Sequence, residues 1–179
     1  MGRARILVFS AACLAALGLA SAAQAGEVYG GIYAHEVDTP LTFATNEGGV
    51  DFQLGYRFHP IEGAWKIEPY LIGSLNSEGD TSFAGIGVGR KFHIGPVYVR
   101  PGVGLVVHDG PGFRIDPDSG RRTDLGSRVL FEPEIAIGTY LSERVTIEAS
   151  WVHISHAQLF NSEQNPGIDM MGVRLNLKL

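Results

Sequence analysis

Val50-Asp-Phe-Gln-Leu-Gly-Tyr-Arg-Phe58 decides how the rest of the chain is read. In an extended strand, successive side chains point to opposite sides. Val50, Phe52, Leu54, Tyr56 and Phe58 then share one face, and Asp51, Gln53 and Arg57 share the other. A helical period of 3.6 does not produce this separation. A strand of roughly nine residues, apolar on one face and charged on the other, matches a tilted membrane-crossing β-strand.

Outward from this stretch the two-residue period recurs, giving eight segments at about 27–37, 50–58, 65–75, 82–92, 97–107, 128–139, 144–155 and 168–179. The orientation of the first is open, with Val28, Gly30, Ile32 and Ala34 facing one way and Tyr29, Tyr33 and His35 the other. Pro69, inside the third, lacks a backbone N–H and predicts a bulge. The even-numbered connections at 59–63, 93–96 and 140–143 are short, whereas the odd-numbered ones are mostly longer, at 39–49, 108–127 and 156–167, with 76–80 a turn. An even strand count with short turns at one end and longer loops at the other is the pattern of an outer-membrane barrel.

The expected fold is therefore all-β: an eight-stranded antiparallel transmembrane β-barrel with short periplasmic turns and longer extracellular loops. Its apolar faces meet lipid, and its polar faces must be paired inside. Arg57, Arg90, Arg100, Glu68, Glu132, Glu134 and Glu148 are expected to form that interior ion-pair network. Phe58, Trp65 and Trp151 lie near strand ends, where an interfacial aromatic belt would sit. A soluble barrel with an apolar interior has the same period. The terminal aromatic residues and the alternation of Met171, Val173, Leu175, Leu177 and Leu179 favour the membrane form.

Residues 1–25 read as a secretory signal peptide: Arg3 and Arg5, an apolar run from Ile6 to Leu19, then the small-x-small site Ala23-Gln24-Ala25. The barrel domain is then 26–179. Cleavage removes both of those arginines and the single cysteine, Cys13, so the formal charge goes from -5 to -7. So acidic a chain argues against nucleic acid as a partner, and one without cysteine has no disulfides.

One stretch stands apart from the apolar–polar alternation. In 144–155 the odd residues Val145, Ile147, Ala149 and Trp151 are apolar, yet the same phase carries His153 and Ser155 onto the lipid-facing side. The last segment is also apolar on odd numbers, and Asp169 belongs to that set. A hairpin joins the two segments, so all three groups meet at one rim of the outer surface. Side chains at i and i+2 on a strand face are neighbours, about 6.5–7 Å apart at Cα. A histidine, a serine and a carboxylate are the groups of nucleophilic acyl transfer. Polar residues facing hydrocarbon are costly, which favours a function for them. His35, His59, His93 and His108 have no ligand spacing and read as turn, rim or strand residues. Arg114, Arg121, Arg122 and Arg128, in or beside the longest loop, suit either phosphate contact or a solvated loop.

His153-Ile-Ser155 with Asn165-Pro-Gly-Ile-Asp169 resembles the C-terminal motif of the lipid A 3-O-deacylase (PagL-type) family. The resemblance implies an esterase in the outer membrane of a Gram-negative bacterium that removes the 3-O-linked acyl chain of lipid A. It implies His153 as base, Ser155 as nucleophile and Asp169 as the acidic member, with no metal or cofactor. The partners it implies are lipid A or lipopolysaccharide and outer-membrane lipids, and it is compatible with a homodimer. The chain departs from the family pattern at two residues and in a slightly longer connecting loop. His156-Ala157 stands where the family has Asn-Ala at the oxyanion hole, leaving His156, or backbone N–H groups near Ala157 and Gln158, to supply the donors. The acidic member is Asp rather than Glu, and Glu163 in the connecting loop is a second candidate. The alternative reading is a non-catalytic small outer-membrane barrel with a structural or adhesive role.

Overall fold

The computed structural model describes residues 26–40, 42, 45–63, 65–157, 159 and 166–179. The expected signal peptide, Gln158 and Glu163 lie outside the described residues. The strands are β1 (Glu27–Ala34), β2 (Val50–Arg57), β3 (Glu68–Asn76), β4 (Phe83–Gly89), β5 (Phe92–Ile94), β6 (Val97–His108), β7 (Val129–Tyr140), β8 (Val145–Ile154) and β9 (Ile168–Lys178). Every pairing is antiparallel, in the order β4-β3-β2-β1-β9-β8-β7-β6-β5, and a further β4–β6 pairing closes the sheet. β4 and β5 form one stave, since Phe83↔His108 and Phe92↔Val99 lie in a single register on β6. The result is a closed eight-stranded barrel, in which the three-residue β5 pairs with β6 alone. Among the described residues no helix is long and apolar enough to cross a membrane.

β2 follows its sequence pattern: Val50, Phe52 and Leu54 are exposed on the outer face, while Asp51, Gln53 and Arg57 are buried. The open orientation of β1 resolves with Tyr29 and Tyr33 inward and Ile32 outward. Tyrosine suits the inside here because each ring has a polar partner. Tyr33 Oη lies 2.6 Å from Ser150 Oγ, and the Arg57 guanidinium lies 4.8 Å from the Tyr29 ring centroid.

Three boundary expectations are corrected. β3 starts at Glu68, not at residue 65, because Trp65 and Lys66 adopt left-handed backbone (φ 59° and 54°) in a turn. The connection 58–67 is therefore longer than the short turn expected at this end. Pro69 makes no bulge: both neighbouring ladders of β3 run without a slip. It stands just beyond the last β2–β3 pair, where its carbonyl accepts from Phe58 N–H (2.8 Å) and its missing N–H is not needed.

Inside, Arg57 makes two bonds to Glu148 (2.9 and 2.7 Å), and Arg174 joins Glu148 (2.5 Å) to Glu134 (2.8 Å). Arg100 bonds Glu134 and Glu68, and Tyr70 donates to Glu132. Removing a buried charge from water costs several kcal/mol, so such a set is tolerable only when it is mutually paired. Arg90 is not part of it; its guanidinium lies 4.6 Å from the Phe92 ring centroid. Arg174 takes a central place in the network instead.

The interior is not polar throughout, as the strand pattern had suggested. Toward the long-loop end it is filled by Ile72, Phe83, Val106, Leu130, Val152, Ile154, Ile168 and Met170, with Leu125 contributed by the β6–β7 loop. The charged layer lies nearer the opposite end. This apolar plug backs the strand ends that carry the candidate site.

Candidate active site

β8 and β9 pair with His153 opposite Asp169 and Trp151 opposite Met171. That ladder ends at the next pair, Ile154 and Ile168. On the other side of β8, an isolated bridge joins Ser155 to Phe131, with Phe131 N–H donating to Ser155 O (2.8 Å) and Ser155 N–H donating to Phe131 O (3.1 Å). The nucleophile-type hydroxyl is thus held on regular sheet backbone. Val152 and Ile154, the residues between, point into the apolar plug and are fully buried. That packing forces His153 and Ser155 to the outer face, as the strand phase requires.

On that face, His153 Nε2 lies 2.8 Å from Ser155 Oγ, and His153 Nδ1 lies 2.9 Å from Asp169 Oδ1. The three residues singled out in the sequence are therefore brought together into one hydrogen-bonded chain. An imidazole donating from Nδ1 to the carboxylate leaves Nε2 free to accept the serine proton, the arrangement that activates a hydroxyl for acyl transfer. The imidazole also stacks on Trp151, with centroids 5.8 Å apart and planes at 24°.

The site lies on the outer face of the barrel but is largely covered. The Asp169 side chain has no exposure and that of His153 has 12%. The cover is the start of the β1–β2 loop: Val37 N–H donates to Asp169 O (2.8 Å), Thr42 Oγ1 donates to Asp169 Oδ2 (3.2 Å), and Thr39 Oγ1 donates to the same oxygen. Trp151 Nε1 completes the set by donating to Asp169 Oδ1 (2.8 Å). Trp151 is thus part of the site.

His156 is fully buried, and neither ring nitrogen has a hydrogen-bond partner among the described residues. The alternation that turns Ser155 outward carries His156 to the opposite side. Ala157 follows with left-handed backbone (φ 51°), and Leu159 N–H donates to His156 O (3.0 Å), so the chain leaves the sheet directly after the hydroxyl.

The family model for lipid A 3-O-deacylase (PagL) matches residues 28–178. The chain belongs to this family. A crystal structure of the outer membrane enzyme PagL superposes with a TM-score of 0.63 at 14% identity, over 86% of this chain and 99% of that one. Neisserial surface protein A (TM-score 0.57, 11% identity, 86% and 97% covered) has the same fold. So does the N-terminal barrel of Pseudomonas aeruginosa OprF (0.55, 13%, 87% and 100%). A search of curated proteins finds no match. Membership in the PagL family makes the protein a multi-pass barrel of the Gram-negative outer membrane, with a deacylase-type enzymatic role and lipid A or lipopolysaccharide as interaction partner.

Within this PagL-family barrel, several site residues were not singled out in the sequence. Thr39 and Thr42 lie in what reads as a polar loop, remote in sequence from Asp169. Gly167 sits so close to the imidazole that a Cβ placed there would lie 2.7 Å from His153 Cε1. Its position in Asn165-Pro-Gly was the available signal. Of the basic residues of the longest loop, Arg121 is exposed and the other three are engaged. Arg114 pairs with Glu47 (3.0 Å), Arg122 with Asp124 (2.9 Å), and Arg128 donates to Gly110 O (2.6 Å).

Proposed function

We propose that this protein is a serine esterase that hydrolyses the 3-O-linked acyl chain of lipid A in the outer leaflet. Ser155 is the nucleophile, His153 the base and Asp169 the orienting carboxylate. The observation that carries this reading is the continuous chain Ser155 Oγ–His153 Nε2 (2.8 Å) and His153 Nδ1–Asp169 Oδ1 (2.9 Å) on the outer barrel face.

Lipid A reaches this face laterally, and its acyl chain runs along outward apolar side chains below the site such as Ile135 and Met171. Ser155 Oγ attacks the ester carbonyl carbon while its proton passes to His153 Nε2. Asp169 accepts the Nδ1–H bond and stabilises the imidazolium. Backbone N–H groups at Ala157 and Gln158 receive the developing oxyanion, which suits His156 being turned to the other side of the chain. Collapse expels the sugar 3-hydroxyl, which takes the proton from His153. Water, activated by the same imidazole, then cleaves the acyl-enzyme and releases the fatty acid. These steps call on no metal or cofactor.

Expression in a Gram-negative host tests this directly. Lipid A should lose one 3-hydroxyacyl mass with the native chain and keep it with Ser155→Ala. Identical lipid A from both, with each protein folded in the membrane and a lipid A carrying the 3-O-acyl ester present, would overturn the assignment.

A further inference from the structure

Asp169 is held by an unusually full set of donors for one short carboxylate. Oδ1 accepts from His153 Nδ1 (2.9 Å) and Trp151 Nε1 (2.8 Å), and Oδ2 accepts from Thr42 Oγ1 (3.2 Å) and Thr39 Oγ1. The two threonine hydroxyls come from the β1–β2 loop, on the far side of Asp169 from His153. The side chain has no exposure, so water cannot stand in for them. A buried carboxylate oxygen stripped of its donors rotates or recruits other partners, because leaving it unpaired is more costly than any single bond it makes.

The feet of this loop are themselves fixed. Glu36 accepts from the backbone N–H groups of Thr45, Asn46 and Glu47, and His35 joins Glu47 (3.0 Å) to Asp51 (2.7 Å). At its start, Val37 N–H bonds the Asp169 carbonyl (2.8 Å), so the loop grips both the main chain and the side chain of the same residue.

We infer that Thr39 and Thr42 are positioning residues for the reaction, acting through Asp169. They hold Oδ2 from the loop side, which fixes the rotamer that aims Oδ1 at His153 Nδ1. This rests on the reading of Ser155, His153 and Asp169 as the catalytic set. It also explains how the shorter Asp serves: its carboxylate is fixed from both ends rather than reaching freely across the hairpin. Preorganised outer partners of this kind set how well an imidazole is aimed.

The test uses the full-length protein in detergent micelles with an acyl ester of lipid A. Thr39→Val with Thr42→Val should lower kcat about 10- to 100-fold, the scale of lost hydrogen bonds to a charged group. KM should change little, because the threonines do not touch substrate. Thr39→Ser, which keeps the hydroxyl, should restore most of the rate. The readout independent of activity is the His153 Nδ1–H proton resonance. It should be sharp in the native chain and in Thr39→Ser, and shifted upfield or lost to exchange in the double variant. If the double variant does not fold, each single Val variant carries the same test. A double variant with unchanged kcat and an unchanged His153 resonance overturns the inference. A Ser155→Ala chain that still deacylates overturns the catalytic reading instead, and leaves the resonance to decide whether the threonines position Asp169.

Discussion

His153 and Asp169 are direct cross-strand partners on β8 and β9, and their side chains meet at 2.9 Å on the outer face of the barrel. A register pair needs no long side chain to close the gap, so aspartate is sufficient here. Asp169→Asn should keep the fold but lower kcat by on the order of 10²- to 10⁴-fold, because the amide cannot serve as the same acceptor for Nδ1–H. Asp169→Glu, although it restores the residue usual in the family, should also lose activity. The extra methylene pushes the carboxylate into a space already bounded by Trp151, Thr39 and Thr42. Steady-state rates of the two variants check this; a Glu variant faster than the native chain would contradict it.

Gly167 should be as sensitive as a catalytic residue without taking part in chemistry. An added Cβ would lie 2.7 Å from His153 Cε1 and 3.1 Å from Ile154 O, and the ring cannot swing away while Ser155 and Asp169 hold it. Gly167→Ala is expected to leave a folded barrel, seen as an unchanged heat-dependent gel shift, with kcat reduced about tenfold or more by a misplaced base.

How much of this was legible in the sequence differs between the two faces of the sheet. The outer face was, because lipid demands an apolar side chain at every second position and His153, Ser155 and Asp169 break that demand in phase. The barrel and its eight staves followed from the same rule. The inner face was legible only where charge marked it, as at Arg57 and Glu148. It misled at Val152, Ile154, Ile168 and Met170, which are apolar but point inward to fill the plug. Along these stretches both faces are apolar, so period two loses its contrast. Loop contacts such as Thr39 and Thr42 with Asp169 are separated by more than a hundred residues and leave no local pattern. Nothing in the neighbours of Trp65 announces the left-handed backbone that takes it out of the strand.

Arg174 should carry much of the barrel's stability and none of its chemistry. It is fully buried and bonds both Glu134 (2.8 Å) and Glu148 (2.5 Å), in the layer away from the site. Arg174→Ala leaves two carboxylates short of a counter-charge, a change worth about 3–5 kcal/mol when a buried pair is broken. A lower melting temperature in detergent is expected, with near-native kcat for the fraction still folded. Replacing Glu134 and Glu148 with Gln in the same chain should recover part of the loss.

His35 gives the loop over the site a defined pH range. Its imidazole touches Asp51 and Glu47, and Glu47 is further held by Thr81 and by Arg114, which also approaches Asp80. Burial pulls the His35 pKa down, but the bonds and charges of the two carboxylates outweigh it and push it up to about 9 from 6.5. Burial pushes Glu47 up, but its bonds to His35 and Thr81 and the Arg114 charge bring it below its usual 4.5. A raised histidine contributes stability that is fully present below its unfolded pKa and is lost as pH rises through the folded one. A lowered glutamate contributes stability that is present above its unfolded pKa and is lost as pH falls through the folded one. The clamp is therefore complete between about pH 4.5 and 6.5 and weakens progressively toward pH 9. Limited proteolysis at the 37–49 loop should accelerate over that alkaline interval in the native chain. In His35→Gln the loop should be cut readily at pH 6, with little further change at higher pH. A native loop equally protected at pH 6 and pH 10 would show that the imidazolium is not what holds it.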